Sequence, residues 1–529
     1  MAEEGIRGSG TRLAELVAAL SLGIDLGFGQ PMEHVLRQCI IALRMAERVG
    51  LDAPGRSAVY YTALLVNVGC HTDAHEQAKW FGDDISLKAL KYDHDMVGLR
   101  ATASSLRLLG SGGPPLHRFR TGLEFAFGGH RAFDHMVAEH ARLAQALARQ
   151  LGLGPDVEGA LGGSYERWDG RGWPGALAGE QIPLASRISQ LAEFTEVAHC
   201  TGGIEGARLL GQSRSGTQFD PALVRCLCTE ADTIFGDLNS VSAWSTVISA
   251  EPALDVVLTG EEFDRALTAI ADFVDLKSPY TLGHSRATAD LASAAGTAAG
   301  RPVEEVELLR RAALVHDFGR LGVSNAIWDK EGPLGAGEWE RVRLQPYLTE
   351  RMLQQSEALA SVGRIAVQVR ERMDGSGYPR GLPGSALSMP ARILAAADSY
   401  QAMREPRPHR AARSAEESAA QLRAEVRAGR LDGSAVDAVL AAAGHRAPRR
   451  REGPAGLTAR EIEVLTLVAR GYSNKQIAER LVISPKTAGN HVEHIYAKID
   501  ATNRATAGLY AVHHGLLPGE DTPAPSPHR

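Results

Sequence analysis

The 529-residue chain lacks any run of eighteen apolar residues, and its N-terminus has no basic stretch followed by an apolar one. A membrane-spanning helix or a secretory signal would require those features, so we expect a cytoplasmic protein with no membrane partner. Aromatic residues make up only 5% of the chain, while Ala and Leu are abundant, which favours helices. A chain of this length predicts about three or four domains.

Cysteines are few and show no metal-ligand spacing, which argues against a zinc module or a disulfide framework. We expect all five to pack as small reduced hydrophobes; they are Cys39, Cys70, Cys200, Cys226 and Cys228. Two groups of potential metal ligands lie in the first half of the chain. The polar run with His71, Asp73 and His75 predicts a solvated loop, and the helical spacing of a second group turns its members in different directions: His130, His135 and His140.

The net charge of −6 hides a difference between the ends of the chain. The stretch 449–517 contains ten Lys or Arg against six Asp or Glu, which leaves it at +4. A basic module on an acidic chain is typical of a domain that binds a polyanion.

The sequence of one loop occurs twice in the chain. Glu-Arg-Trp-Asp-Gly-Arg-Gly-Trp-Pro at Glu166–Pro174 returns as Glu-Arg-Met-Asp-Gly-Ser-Gly-Tyr-Pro at Glu371–Pro379, 205 residues later. Two Gly and one Pro within six residues exclude a helix interior and predict a shaped loop. The repeat indicates two versions of one domain, and we read the loop itself as scaffold.

Residues that suit metal chemistry follow one another in the second version. The chain reads Asp-Leu-Lys-Ser-Pro-Tyr-Thr-Leu-Gly-His-Ser at 275–285, Val-His-Asp-Phe-Gly at 315–319 and Ala-Asp at 397–398. Together with the loop at Glu371–Pro379, this series resembles the HD superfamily of metal-dependent phosphohydrolases and, within it, the HD-GYP branch that acts on cyclic di-GMP. The resemblance spans most of residues 275–410 and implies a helical HD-type domain.

The resemblance implies four metal ligands: His284, His316, Asp317 and Asp398. Two imidazoles and two carboxylates suit one divalent transition metal, Fe, Mn or Zn. Such a metal lowers the pKa of a bound water and polarises a phosphoryl oxygen, as phosphoester hydrolysis requires. The resemblance also implies contacts to a phosphate or ligand from Arg320, Arg407 and Arg410.

The sequence departs from the branch where the branch has further ligands. Gln345 stands in place of a His, and Val369-Arg370 stands in place of a His pair. Val369 cannot coordinate a metal, and Arg370 places a positive charge beside a cation. Arg320 and Gln401 also replace a Lys and an Asp. These departures argue against two metals and leave two interpretations: a one-metal site, or ligands that persist as relics in a sensing or dimerising domain.

The first version matches the second at two offsets. At an offset of 250 residues, His34 corresponds to the first ligand and Val66-Asn67 to the His-Asp doublet. At the loop's offset of 205, Glu193 corresponds to Asp398. The first version therefore keeps the pattern of the fold without the doublet, and we expect no metal catalysis there.

Capping signals become dense after the basic, Pro- and Gly-rich stretch 446–456. Thr458 with Glu461 and Ser473 with Gln476 form capping boxes, and Ser484 precedes Pro485 at the start of a third helix. Three capped helices, the last two joined by a tight turn, form a helix-turn-helix pattern. A fourth helix is expected to begin near Asn503.

The third helix has a buried stripe and an outward face. Ala488, Val492, Ile495 and Ile499 form the stripe. The block from Leu457 onward strongly resembles the LuxR-type helix-turn-helix domain of bacterial transcription regulators, which implies base contacts from Gly489, Asn490 and Glu493. An asparagine suits adenine and a glutamate suits the cytosine amine. The remaining predicted DNA contacts, several of them to phosphates, are Lys475, Lys486, Thr487, His491, Lys498 and Arg504.

These patterns predict an all-α chain of two duplicated helical HD-type domains followed by a four-helix LuxR-type helix-turn-helix domain. The predicted bounds are residues 1–245 for a degenerate HD-type domain (the first half), 256–445 for an HD-GYP-like domain (the second half), 446–456 for a linker, 457–517 for the DNA-binding domain and 518–529 for a disordered tail.

The functional hypothesis is a transcription regulator that binds double-stranded DNA and senses a nucleotide, such as a cyclic dinucleotide, or a protein partner. The alternative is an active metal-dependent phosphodiesterase coupled to DNA binding. Members of the LuxR-type family pair through their last helix, here residues 504–514, which implies a homodimer on a two-fold operator.

Overall fold

The computed structural model describes residues 10–93, 109, 130–252, 256–445, 454–514 and 516. In these ranges the ordered elements are almost all helices, which confirms the predicted all-α fold class. The chain divides into two compact units, Met1–His445 and Arg446–Arg529.

The described part of the first half of the larger unit is built of helices. In chain order they are α1 (Leu13–Gly27), α2 (His34–Arg48), α3 (Ala53–Leu65), α4 (Ala74–Phe81), α5 (Asp84–Asp93), α6 (His130–Gln150), α7 (Pro155–Gly162), α8 (Leu184–Ser213), α9 (Pro221–Thr229), α10 (Ala231–Phe235) and α11 (Ala243–Ser249), with 3-10 turns at Val68–His71 and Gly179–Gln181.

The second half is also built of helices. Its helices are α12 (Gly260–Asp275), α13 (His284–Ala298), α14 (Val303–Val315), α15 (Asn325–Trp328), α16 (Ala336–Arg343), α17 (Gln345–Leu353), α18 (Glu357–Ala366), α19 (Met389–Arg404), α20 (Ala415–Arg427) and α21 (Gly433–Ala442), with 3-10 turns at Phe318–Gly322 and Gly384–Ala386. A two-residue strand at Thr11–Arg12 pairs antiparallel with Val257–Leu258 and joins the beginnings of the two halves.

The two halves share one continuous apolar core, which extends from Leu13 to Leu440. Buried polar groups also cross between them. Asp84 at the start of α5 accepts hydrogen bonds from the Ser324 hydroxyl at 2.7 Å and the Asn325 amide at 2.9 Å, and its carboxylate lies 3.4 Å from the ammonium of Lys277. Because Asp84 and Lys277 are both fully buried, the pair is an internal link between the halves. The predicted boundary between them stays a prediction.

Some expectations about the first half are wrong. The polar run around Asp73 is a 3-10 turn followed by α4, and His71 is buried, with its two ring nitrogens 2.6 Å from the carbonyl oxygens of Val68 and Phe273. The stretch after Asp73, which has no clear periodicity in the sequence, contains α4 and α5. Short helices that bury polar side chains against a neighbouring half lack the apolar stripe that periodicity detects.

The smaller unit contains α22 (Ala459–Ala469), α23 (Asn474–Leu481), α24 (Pro485–Ile499) and α25 (Arg504–His513), preceded by a 3-10 turn at Pro454–Gly456. The predicted caps are confirmed: Thr458, Ser473 and Ser484 each accept a hydrogen bond from a backbone amide of the first turn that follows. The predicted stripe from Ala488 to Ile499 is buried in a core of its own.

Candidate functional site

The first predicted ligand is fixed by the start of a helix. His284 opens α13 directly after Gly283, which has a left-handed backbone with φ 73°. Asp275, at the end of α12, accepts hydrogen bonds from both the amide and the hydroxyl of Ser285 at 2.8 Å. This anchor sets the first turn of α13 and leaves the His284 imidazole buried in the core of the second half.

His284 and His316 direct the same ring nitrogen, Nε2, toward one point. His316 Nδ1 donates to the carbonyl oxygen of Ala313 at 2.6 Å, and His284 Nδ1 lies 2.9 Å from Glu405 Oε2. These contacts turn both Nε2 atoms toward Asp398, whose Oδ1 lies 3.3 Å from His284 and 3.4 Å from His316. Donor atoms of His284, His316 and Asp317 all lie within 4.8 Å of one another.

Arg370 spans the two carboxylates of this cluster. Its guanidinium lies 2.5 Å from Asp398 Oδ2 and 3.5 Å from Asp317 Oδ1. Burial opposes ionisation of Asp398, but the charge of Arg370 and the histidines outweigh it and hold the pKa of that carboxyl well below its usual range. Burial lowers the pKa of His284, but Asp398 and Glu405 raise it to about 9. The guanidinium therefore acts as an internal counter-ion to the acids.

The donor set fits one divalent metal. His316 Nε2 is buried and makes no hydrogen bond to the described residues, although Asp398 lies nearby. A buried imidazole nitrogen without a hydrogen bond, beside two carboxylates and a second imidazole, suits coordination of a metal. One metal rather than two stays the prediction, because the side chain of Val369 is buried carbon and the guanidinium of Arg370 repels a cation. The four ligand assignments stay predictions.

Gln345 and Arg320 lie beside the cluster in supporting positions. Gln345 Nε2 donates to the carbonyl oxygen of His316 at 2.6 Å and so supports the histidine from behind. Arg320 lies 3.3 Å from Asp317 Oδ2, and its guanidinium stacks 4.1 Å from the Trp328 ring.

The two later arginines have internal partners. Arg407 donates to the Tyr280 carbonyl oxygen at 2.5 Å and to Glu405 at 2.8 Å. Arg410 donates to backbone carbonyl oxygens at the end of α19, including that of Ala402 at 2.5 Å. Both side chains therefore brace the loop after α19, and their contact with a phosphate stays a prediction.

The corresponding place in the first half contains a lysine. His34 opens α2 as His284 opens α13, and Glu193 lies on α8 as Asp398 lies on α19. Glu193 Oε1 accepts from the Lys91 ammonium at 2.5 Å, from Asn67 Nδ2 at 2.7 Å and from the Tyr92 hydroxyl at 3.0 Å. Burial raises the pKa of Glu193, but the charge of Lys91 outweighs it and the net shift is downward. The ammonium thus neutralises the acid of this half.

Sequence reasoning missed Lys91, because it lies on α5, in the stretch without periodicity. His34 also has a partner that the alignment of the two versions does not predict: its Nδ1 hydrogen-bonds Glu196, one turn after Glu193. Arg37 donates to the same Glu196 at 2.6 Å. Salt bridges therefore pair the charged side chains at this place in the first half.

The repeated loop holds itself together in the same way in both halves. The Glu166 carboxylate accepts backbone hydrogen bonds from Ala176 at 2.8 Å and from Leu177 at 3.2 Å. The Glu371 carboxylate accepts from Arg380 at 2.8 Å and from Leu382 at 2.9 Å. The glutamate that begins each loop is thus its internal anchor, and we infer that the loop shapes the fold.

The outward face of α24 presents the predicted base contacts. Asn490 and Glu493 are exposed, as are Lys486 and Thr487, while Gly489 and His491 are half-buried. Lys475, on α23, is also exposed. Amide, carboxylate and ammonium groups on one side of a helix provide the donors and acceptors that base edges and phosphates require.

Two of the predicted phosphate contacts have partners within the smaller unit. Lys498 lies 2.8 Å from Glu461, and Arg504 hydrogen-bonds the carbonyl oxygen of Tyr472. On α25, Leu509 and Val512 are each 58% exposed. Within the described parts of the chain, none of the helices combines the length and the apolar character needed to cross a bilayer.

Comparison with known proteins finds two families in the chain. The family described as HD domain matches residues 134–201 and 268–435, and bacterial regulatory proteins, luxR family, matches residues 455–511. The Response regulator protein VraR of Staphylococcus aureus is 40% identical over 79 residues, which cover 15% of this chain and 38% of that protein. The predicted resemblance to HD-type and LuxR-type proteins is confirmed.

The HD-type part is similar to a curated relative over most of its length. The 3′3′-cGAMP-specific phosphodiesterase 3 of Vibrio cholerae is 32% identical over 405 residues, which cover 76% of this chain and 88% of that protein. The crystal structure of a cyclic GMP-AMP specific phosphodiesterase of V. cholerae (V-cGAP3) matches with a TM-score of 0.57 and 27% sequence identity. That match covers 83% of this chain and 99% of that chain.

Proposed function

This chain belongs to the family of HD-domain proteins that includes the 3′3′-cGAMP-specific phosphodiesterases, and on that premise we propose that it is a DNA-binding transcription regulator whose HD-type part senses a cyclic dinucleotide. The sensing site is the cluster of His284, His316, Asp317 and Asp398 in the second half. The LuxR-type unit binds operator DNA through α24, as a homodimer that pairs through α25.

The observation that carries the proposal is the contact of Arg370 with both carboxylates of the cluster. Phosphoester hydrolysis by a pair of metals needs a clamp on the attacking and leaving oxygens. A guanidinium in that place keeps one positive charge beside the phosphate without supplying a second metal. A site of this kind retains affinity for a phosphodiester while losing the means to cut it rapidly.

A single metal at the cluster would supply a Lewis acid for the phosphodiester oxygens. The protein's own groups perform the remaining tasks. The Ala313 carbonyl and Glu405 fix the two imidazoles, and Arg370 offers a fork of N–H donors next to the carboxylates.

Ligand binding tests the sensing role. We expect purified full-length protein with Mn²⁺ to bind 3′3′-cGAMP or cyclic di-GMP in isothermal titration calorimetry, and His316→Ala to lose that binding. Asn67→Ala, the change at the matching place in the first half, serves as the control and keeps it. Wild-type protein that binds neither dinucleotide with metal present would contradict the proposal.

Hydrolysis is the second candidate, because donor atoms of His284, His316 and Asp317 lie within 4.8 Å of one another and Asp398 lies beside the two imidazoles. The same samples decide between the two functions when the products are separated by chromatography. Metal-dependent turnover that disappears in both His316→Ala and Asp317→Ala identifies an enzyme. Binding without turnover identifies a sensor.

Operator recognition is tested by a pair of variants on α23 and α24. We expect Asn490→Ala to weaken a specific operator complex by about 1–3 kcal/mol and to relax its specificity, because a base contact is lost. Lys475→Ala is the control, and it should weaken specific and non-specific DNA alike. Gel-shift competition with fragments selected from genomic DNA measures both, and an unchanged specificity ratio for Asn490→Ala would refute the base-reading role.

A further inference from the structure

Two of the ligands predicted for the second half lie at the ends of chain segments made mainly of turns. The segment 275–284 ends at His284, and the segment 317–325 begins at Asp317. The course of such segments depends on contacts with other parts of the chain. Asp84, the first residue of α5 in the first half, contacts both segments. One carboxylate of the first half therefore lies against the two segments that lead to the cluster.

The Asp84 carboxylate is fully buried, and each of its oxygens accepts from two donors. Oδ1 accepts from the Ser324 hydroxyl at 2.7 Å and from the Asn325 amide at 2.9 Å. Oδ2 accepts from the ammonium of Lys88 at 3.1 Å and from that of Lys277 at 3.4 Å. Burial raises the pKa of Asp84, but the two lysines outweigh it and hold the pKa well below its usual range. The carboxylate is therefore ionised and fixed from all sides.

Asn325 and Asp329 tie the two segments to each other. Asn325 Nδ2 donates to the carbonyl oxygen of Lys277 at 2.6 Å and to Asp329 Oδ2 at 2.8 Å. Asp329 Oδ1 accepts from the Ser278 hydroxyl at 2.8 Å. His75, on α4 of the first half, lies with its Nδ1 2.9 Å from Asp329 Oδ2. The first half thus contacts this junction from both α4 and α5.

Hydrogen bonds within the first segment connect the junction to His284. Ser278 directly follows Lys277, and its carbonyl oxygen accepts from the Thr281 hydroxyl at 3.0 Å. The carbonyl oxygen of Thr281 accepts in turn from the His284 amide at 3.0 Å. A displacement of Lys277 would therefore move the start of α13.

The second segment connects the junction to Asp317 in a similar manner. The carbonyl oxygen of Asp317 accepts from the Arg320 amide at 2.9 Å, and that of Arg320 accepts from the Val323 amide at 3.2 Å. Ser324 follows directly and donates its hydroxyl to Asp84. Both predicted ligands are therefore joined to the same carboxylate by a short chain of hydrogen bonds.

We propose that Asp84 is a positioning residue for the metal site of the second half, supplied by the first half. The inference rests on the proposed function, because the site that Asp84 positions is the one proposed to hold the metal. The carboxylate holds the two segments where His284 and Asp317 meet, and it does not touch the metal itself. Without its charge, the ammonium groups of Lys88 and Lys277 remain together in a buried place and repel each other, which displaces both segments.

Hydrogen exchange measures the positioning without any metal. Full-length protein in chelator is compared with Asp84→Asn, which removes the charge but keeps the size of the side chain. We expect peptides that cover 277–285 and 317–325 to exchange faster in the variant, because their hydrogen bonds open more often. Peptides of α2 and α3 should keep their wild-type rates, which shows that the variant is folded. Unchanged exchange of both segments would overturn the proposal.

A matched control removes a different contact between the halves. Ser356→Ala deletes the hydrogen bond that the buried Ser356 hydroxyl donates to Glu15 at 2.8 Å. We expect both segments to exchange as in wild type. If Ser356→Ala accelerates them as much as Asp84→Asn does, the effect is a general loosening of the halves, and the specific role of Asp84 is refuted.

Metal affinity tests what the positioning serves. We expect Asp84→Asn to bind Mn²⁺ about tenfold more weakly than wild type in isothermal titration calorimetry, because groups that orient metal ligands contribute about 10–100-fold to affinity. Ser324→Ala, which deletes one donor to the carboxylate, should have a smaller effect in the same direction, and it decides the question if Asp84→Asn does not fold. Ser356→Ala should bind Mn²⁺ as wild type does.

The two measurements separate this inference from the proposed function. Wild-type protein that binds no Mn²⁺ contradicts the proposed function, and the exchange rates in chelator then decide by themselves whether Asp84 positions the segments. Wild-type protein that binds Mn²⁺ with the same affinity as Asp84→Asn leaves the proposed function standing and overturns the role of Asp84.

Discussion

Each HD-type half contains a buried acid at a matching position, and different residues neutralise the two acids. In the first half, Glu193 is neutralised by the ammonium of Lys91, and in the second half Asp398 is neutralised by the guanidinium of Arg370. Each cation comes from a different part of the fold, since Lys91 lies on α5 and Arg370 directly precedes the repeated loop. The helix that carries the acid persists in both halves, while the source of the positive charge changes.

The difference between the halves lies in what surrounds the acid. The first half has Asn67 where the second has Asp317, and its histidine nitrogen is held by Glu196. The second half brings donor atoms of His284, His316 and Asp317 within 4.8 Å of one another, with Asp398 beside the two imidazoles. His316 Nε2 makes no hydrogen bond in the described structure. The first half thus pairs its acid with a lysine, whereas the second half pairs its acid with an arginine and also brings together the ligands predicted for a metal.

Removal of Lys91 should have the largest effect. Lys91→Met leaves the buried Glu193 without a counter-ion, which costs about 3–5 kcal/mol of unfolding free energy. Urea unfolding monitored by circular dichroism measures the loss, and Mn²⁺ should not restore it. Lys79→Met, at an exposed lysine of α4, is the control and should stay within about 0.5 kcal/mol of wild type. Equal stabilities of Lys91→Met and Lys79→Met would show that Lys91 is not the counter-ion.

Metal should stabilise the second half alone. At a free Mn²⁺ concentration a hundred times the dissociation constant, wild-type protein should gain about 2.7 kcal/mol of unfolding free energy over protein in chelator. Arg370→Met should keep this gain, because the ligands remain and a competing cation is removed. His316→Ala should lose it, and Asn67→Ala should not. A gain that survives His316→Ala would place the metal elsewhere.

Lowering the pH should weaken the salt bridges of Glu196 in the first half. Burial raises the pKa of Glu196, but His34 and Arg37 outweigh it and lower it from 4.5 to about 2. The contribution of Glu196 is therefore complete above pH 4.5 and is lost as the pH falls toward 2. Between pH 5 and pH 3, wild type should lose roughly 2 kcal/mol more than Glu196→Gln does. Parallel urea-midpoint curves for the two proteins would contradict this assignment.

Local rules predicted much of the fold, because caps and stripes depend on neighbours in sequence. Thr458, Ser473 and Ser484 were sufficient to place three helices of the smaller unit. The two offsets between the repeated sequences, 250 and 205 residues, likewise matched His34 to His284 and Glu193 to Asp398.

The remaining features depend on contacts between distant residues. Lys91 and Glu193 are 102 positions apart, and neither the spacing nor the composition of α5 points to their pairing. His71 was expected in a solvated loop, but it is buried, and its Nε2 lies 2.6 Å from the carbonyl oxygen of Phe273, 202 positions away. Burial and partner decide the chemistry of such side chains, and both follow from tertiary packing.

Metal content tests the central claim most directly. Full-length protein is loaded with Mn²⁺, freed of excess metal by gel filtration and analysed by inductively coupled plasma mass spectrometry. We predict one metal ion per chain in wild type and in Asn67→Ala, and none in His316→Ala. Two ions per chain, or one ion that persists in His316→Ala, would contradict the account of the two halves.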